Sequence, residues 1–181
     1  MRISHWMCPT KAGGPGNRLM LWLQGCRRAC PGCISPNLQP TDGGTYMTTE
    51  LLAEILSEEM KECGVEALTL SGGEPLDQIE EVYALVSRLK PKDCLLYTGY
   101  SWEEAQAMPA FAKLKPYLSV IITDPYVETL NDGKGLRGSS NQRILVLKGD
   151  FLKQYKEYGE KERPVEYTAI GDEICFTGLP S

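Results

Sequence analysis

Cys26, Cys30 and Cys33 lie within eight residues at C-x3-C-x2-C spacing. Iron–sulfur clusters are usually held by four cysteines, one per iron in the four-iron case. Three local thiolates therefore leave one iron open to a ligand that is not protein. Two bland readings compete with this one. One is a structural zinc site completed by Cys8 or by His5, the only histidine, although zinc favours four closed ligands, often arranged as pairs. The other is a closed electron-transfer cluster that uses Cys8. The remaining cysteines, Cys63, Cys94 and Cys175, are scattered. Cys63 and Cys94 fall on apolar faces and read as small buried hydrophobes.

A second group sharpens the open-site reading. Ser71-Gly72-Gly73-Glu74-Pro75 follows a short apolar run. Glycines at such a turn let a ligand approach the backbone, and a carboxylate beside them can accept hydrogen bonds from an ammonium. Alone, such a turn most often just joins strand to helix. With three cysteines one strand earlier, it suggests a ligand carrying an amine, a carboxylate and an adenosyl group. S-adenosylmethionine fits, because its amino and carboxylate groups can chelate a vacant iron.

The elements that must position these groups read as alternating strands and helices. A strand from about Leu19 to Gln24 leads into the cysteine loop. A helix is predicted from about Thr48 to Cys63, where Leu52, Ile55, Leu56, Met60 and Cys63 keep a helical period, and Gly64 ends it. Ala67 to Leu70 is a buried strand, and Asp77 to Lys90 a helix stopped by Pro91. Strand Cys94 to Thr98 precedes a capping box of Ser101 and Glu104. Strands at Leu118 to Thr123 and Ile144 to Leu147 flank a polar loop, Asn131 to Gln142. A charged helix near Gly149 to Lys161 follows. Two alternating runs, Val165 to Ile170 and Glu173 to Phe176, read as a hairpin around Gly171-Asp172.

Strands separated by helices imply βαβ units and a parallel sheet. Five strands are too few for a full barrel. The expected fold is α/β, a partial (β/α) barrel of parallel strands with a C-terminal β-hairpin extension; a doubly wound sheet is also compatible. The chain reads as one domain over 1–181, with its core at about 13–148 and an extension over 149–181. In either architecture ligands bind at the C-terminal strand ends. The cysteine loop, Gly72 to Glu74, Thr98-Gly99-Tyr100 and Asp124 all follow strands directly.

Composition narrows the partners. The chain has 181 residues, a net charge of −5 and 42% hydrophobic residues, enough for a buried core. The acidic balance argues against nucleic acid and anionic membranes, which need a concentrated basic face. No apolar run approaches a membrane span of about 20 residues, and no apolar signal core is present. A cytoplasmic location is expected.

Five stretches, in order, resemble the radical S-adenosylmethionine family. They are Gly14 to Arg18, Gly25 to Cys33, Leu70 to Leu76, Thr98 to Tyr100, and Arg137 to Gln142. The C-x3-C-x2-C group and Gly72-Gly73-Glu74 match that family's two main motifs. Within the family, the chain resembles the proteins that activate anaerobic ribonucleotide reductase and, more distantly, pyruvate formate-lyase activating enzyme. The resemblance covers about residues 13 to 145.

It implies a [4Fe-4S] cluster on Cys26, Cys30 and Cys33, reductive cleavage of S-adenosylmethionine, and a 5′-deoxyadenosyl radical. That radical would take a hydrogen from a glycine Cα of a partner glycyl radical enzyme. It also implies an electron donor of the flavodoxin or ferredoxin type. Gly72, Gly73 and Glu74 would hold the amino-acid end of the cofactor, and Gly32 and Ile34 would lie against adenine. Asp124 would contact the cofactor or a cation, or simply form an Asp-Pro turn. Two departures keep another protein or peptide substrate open. The chain continues well past Gln142, and His5-Trp6-Met7-Cys8-Pro9 differs from the family pattern. A non-enzymatic zinc or iron–sulfur carrier is the competing class.

Overall fold

The computed structural model describes residues 1–170 and 173–177. A seven-stranded open sheet organises them, in the order β3-β1-β2-β4-β5-β6-β7. The strands are β1 (Arg2–Thr10), β2 (Arg18–Leu23), β3 (Thr45–Tyr46), β4 (Ala67–Gly72), β5 (Asp93–Tyr97), β6 (Val120–Thr123) and β7 (Arg143–Val146). The helices are α1 (Thr49–Glu62), α2 (Ile79–Leu89), α3 (Trp102–Ala107), α4 (Phe111–Leu114) and α5 (Leu152–Gly159). A separate antiparallel pair, β8 (Glu166–Ile170) and β9 (Glu173–Thr177), forms the expected hairpin. Its turn at Gly171-Asp172 lies outside the described residues.

The architecture is mixed α/β, with four parallel strands, β2, β4, β5 and β6, at its centre. The expectation of a fifth parallel strand is corrected. β7 runs antiparallel to β6, with Ile121 opposite Leu145. Parallel pairing needs a crossover, usually a helix, and between β6 and β7 the chain supplies only a polar loop with one 3-10 turn, Glu128–Leu130. Two strands were missed as well. β1 pairs antiparallel with β2, and β3 with β1. Their residues are mostly half-exposed, so neither strand shows the clean alternation that a half-buried strand writes into sequence.

The pleat sorts the sheet into two faces. Leu19, Leu21, Leu23, Leu68, Leu70, Cys94, Leu96 and Ile121 join one core cluster with Leu52 and Leu56 of α1 and Val82, Leu85 and Val86 of α2. The alternate positions Leu95, Val120 and Ile122 pack instead on Leu136 and on Tyr155 of α5. The C-terminal segment thus covers part of the face opposite α1 and α2. Caps close the helices as the sequence suggests. Thr48 Oγ1 accepts from Leu51 N, and Ser101 and Glu104 form the full capping box. Gly64, at φ +64°, ends α1. α2, however, ends one residue before Pro91, at a left-handed Lys90.

Buried polar residues tie the C-terminal segment to the sheet. Arg18, fully buried, donates to Thr69 Oγ1 (2.6 Å), Leu68 O (3.1 Å) and Asp93 Oδ2 (3.3 Å). Tyr155 Oη donates to Asp93 Oδ2 at 2.8 Å. Further along, the Glu166 carboxylate accepts from Thr10 Oγ1 and from Lys11 N at 2.9 Å. Among the described residues, no helix is long and apolar enough to cross a membrane.

Candidate active site

The C-terminal ends of β2, β4 and β5 open on one cleft of about 140 Å³. Cys26, Cys30, Cys33 and Ile34 line it from the loop after β2, and Gly72, Gly73 and Glu74 from the turn after β4. Thr98 and Gly99 follow from β5, with Gly138 and Gln142 opposite. The convergence expected from sequence is therefore present.

The cysteine loop turns tightly. Ala29 (φ +47°) and Gly32 (φ +67°) take left-handed conformations, and Cys33 N donates to Cys30 O at 3.3 Å. Burial pushes the Cys26 thiol above its ordinary value, while backbone N–H groups of Arg28 and Ala29 pull it back. Those N–H groups favour the thiolate, the form that binds iron. No three His, Cys, Asp or Glu side chains among the described residues are grouped to hold a single ion. Zinc would gather its thiolates on one ion, whereas a cluster would bind each thiolate on its own iron.

The alternative ligands lie elsewhere. His5 stacks on Trp22 at 4.4 Å, and burial lowers its pKa. Cys8 lies between Met7, paired with Met20, and Thr10, paired with Arg18. That is the far end of β2 from the cysteine loop. Its thiol is 3.8 Å from Glu59 O and beside Cys63.

The glycines of the second motif line the cleft and also allow a close backbone approach. A Cβ on Gly72 would stand 2.4 Å from Leu23 N and O, and one on Gly73 would stand 2.2 Å from Gly25 O. The space beside both is filled by protein backbone. Gly73 N donates to Leu23 O and Glu74 N to Gly25 O, each at 2.8 Å. The turn is stitched to the strand end that launches the cysteine loop. Gly73→Ala is expected to destabilise the cluster-free protein by about 2–3 kcal/mol, as overpacking against fixed backbone does. Thermal unfolding checks this, and an unchanged melting temperature would mean that the joint can open.

Glu74 is buried, with 1% of its surface exposed. Its Oε1 accepts from Thr98 Oγ1 (2.7 Å) and Leu76 N (2.9 Å), and its Oε2 accepts from Gly99 N (2.7 Å). Burial pushes its carboxyl up to about 7, against the pull of those three donors. The folded value exceeds the unfolded one near 4.5. Glu74 therefore contributes stability in full below about pH 4.5, and that contribution is lost as pH rises to about 7. The shift corresponds to roughly 3 kcal/mol. In the cluster-free protein, wild type minus Glu74→Gln should fall by an amount of this order between pH 4.5 and 7. Chemical denaturation across that range measures it, and parallel profiles would contradict the assignment.

Other predicted site residues are placed less centrally. Gly32 packs on Glu128, whose Oε2 would be 2.5 Å from a Cβ there, and Gly32 does not line the cleft. Asp124 does not line it either. At φ +80° its carboxylate accepts from Arg143 Nε at 2.8 Å, and its carbonyl accepts from Gln142 Nε2 at 2.9 Å. Gln142 Oε1 accepts from Gly138 N at 2.7 Å. The Arg137 to Gln142 segment, which contributes Gly138 and Gln142 to the lining, is thereby a braced wall of the cleft.

Sequence reasoning also missed Asp77. It accepts from Arg27 N (3.0 Å) and Tyr100 Oη (2.8 Å), joining the cysteine loop to the turn after β5. Its position two residues after Pro75, at the start of a helix, reads simply as an N-terminal acid, so no local signal marks it.

The thiol-lined edge of the sheet is compatible with an iron–sulfur cluster. A family model described as a 4Fe-4S single cluster domain matches residues 12–145. Curated relatives carry one name, anaerobic ribonucleoside-triphosphate reductase-activating protein. The protein of Enterobacteria phage T4 is 35% identical over 137 residues, covering 72% of this chain and 85% of its own. That of Salmonella typhimurium is 31% identical over 157 residues, 82% of this chain and 100% of its own. That of Escherichia coli K12 is 31% identical over 146 residues, 75% and 92% respectively. The chain belongs to the family of anaerobic ribonucleoside-triphosphate reductase-activating proteins.

Proposed function

We propose that this protein is a radical S-adenosylmethionine enzyme that generates a glycyl radical on an anaerobic ribonucleotide reductase. The observation that carries the reading is the meeting of Cys26, Cys30 and Cys33 with the Gly72–Glu74 turn in one cleft. Family membership supports the partner. When bound, the reduced cluster and S-adenosylmethionine supply the one-electron cleavage and the radical chemistry.

The chain's own residues position and exclude. The three thiolates would hold three irons and leave the fourth open. Glu74 Oε2 has one acceptor site beyond its bond to Gly99, suited to the cofactor's ammonium. An ammonium there would draw the carboxyl back to its ionised form. Ile34 offers apolar surface for adenine. Gln142, held by Asp124 O, shapes the wall, so Asp124 acts through it.

Beside the cleft lies a cavity of about 310 Å³ that shares Ile34, Ser35, Ser71 and Tyr97 with it. A glycine-bearing segment of the partner would enter there. The four parallel strands, with α1 and α2 on one face and α5 covering part of the other, are the part we read as a partial barrel. An electron donor of the flavodoxin or ferredoxin type and a cytoplasmic setting complete the reading.

EPR of the anaerobically reconstituted, reduced protein tests it. The reduced-cluster signal should change on adding S-adenosylmethionine, and a glycyl radical should appear when the reductase is present. A cluster signal indifferent to the cofactor would return the protein to the electron-carrier class.

A further inference from the structure

The cleft is lined by three thiols and a carboxylate, yet one cation reaches it. Among the described residues lining it, Arg28 is the only Lys, Arg or His. Its guanidinium lies 4.6 Å from the centroid of the Tyr100 ring. Tyr100 is in turn fixed by its bond to Asp77 at 2.8 Å. This cation–π contact lies over the ring face and uses no acceptor atom. Of its five donors, Nη1 reaches Glu104 Oε1 at 3.4 Å. That contact is long and half-exposed. Glu104 is also engaged in the helix cap, where its other oxygen accepts from Ser101 N at 2.6 Å. A partner of this kind is easily exchanged.

Gly99 lies beside both charges. The point where a Gly99 side chain would begin is 3.4 Å from Glu74 Oε2 and 3.5 Å from Arg28 Nε. The carboxylate and the guanidinium are therefore no more than about 7 Å apart on the same cleft wall. An α-amino acid zwitterion, with its ammonium and carboxylate on one carbon, can reach both.

We propose that Arg28 anchors the carboxylate of the cofactor's amino-acid end, opposite the ammonium seat at Glu74. The inference rests on the S-adenosylmethionine reading above and adds a binding residue to it. A carboxylate has acceptor sites for both an arginine and an iron, so the two contacts are compatible.

The test compares two probes on oxidised, cluster-loaded protein, where no turnover occurs. They are S-adenosylmethionine and decarboxylated S-adenosylmethionine, measured by equilibrium dialysis. Arg28→Gln should weaken binding of the first at least about tenfold, the scale of a charge-assisted hydrogen bond. It should leave the second within about twofold of wild type. Iron content and melting temperature of the variant serve as controls. If the glutamine variant holds less iron, Arg28→Lys carries the test, since it keeps the charge while losing the planar fork; it should show a smaller loss for S-adenosylmethionine alone. Equal losses for both probes, or no loss for either, would overturn the anchor. A wild-type protein that binds neither probe would overturn the cofactor reading itself.

Discussion

Asp93→Ala should lower the stability of the cluster-free protein by about 3–5 kcal/mol, the cost of leaving a buried charge uncompensated. Arg18 is fully enclosed, and Asp93, with 8% of its side chain exposed, is its anionic partner at 3.3 Å. Removal of the carboxylate leaves the guanidinium with Thr69 Oγ1, Pro15 O, Leu68 O and Tyr155 Oη. None of these carries a charge. It also takes away the acceptor of the single Tyr155 O–H proton, whose oxygen lies 2.8 and 3.0 Å from the two Asp93 oxygens. For a chain of this length the melting temperature should fall on the order of 10 °C. Tyr155→Phe removes one donor and keeps the ion pair, so its loss should be nearer 1 kcal/mol. Calorimetry on both variants decides the matter. Equal, small losses would mean that water enters and solvates Arg18.

Cys30→Ser should abolish the intact cluster and with it all activation of the reductase, while the folded chain persists. Cys30 is half-exposed in a loop held by backbone bonds, Gly25 N to Leu38 O and Cys26 N to Gln39 O among them. Without metal, the change should therefore stay within about 0.5 kcal/mol of wild type. Cys8→Ser is the control, because Cys8 sits at the other end of β2. It should keep full iron content and the same EPR signal. Iron and sulfide analysis of the two reconstituted variants gives the answer directly. A cluster lost in the Cys8 variant would restore the closed-site reading.

Much of this was legible in the residues, because the chemistry is local. The cysteine spacing, the Gly72–Glu74 turn and Thr98-Gly99 each follow a strand at once, and the rule that parallel strands present ligands at their C-terminal ends brought them together. The capping box at Ser101 and the end of α1 at Gly64 are equally local and were found. What failed to show was set by distance along the chain. β1 is mostly half-exposed, so its pairing with β2 leaves no periodic trace. β7 looked like its parallel neighbours, because a short apolar strand carries no mark of its direction. The close packing at the two glycines is silent in sequence for a related reason: only in three dimensions does the end of β2 come up against them. Arg28 and Asp77 gained meaning only when Tyr100 was placed beside them.

The backbone joint between Gly72-Gly73 and Leu23-Gly25 also has a mechanical meaning. With no side chain between the segments, the cysteine loop and the turn that carries Glu74 form one ruler, whose length is set by peptide geometry. Under the proposed function, a change at the Arg137 to Gln142 wall would leave that length unaltered. Adaptation to a new partner would then fall to the walls, and the span between the proposed cluster and cofactor seats would stay beyond the reach of ordinary side-chain variation.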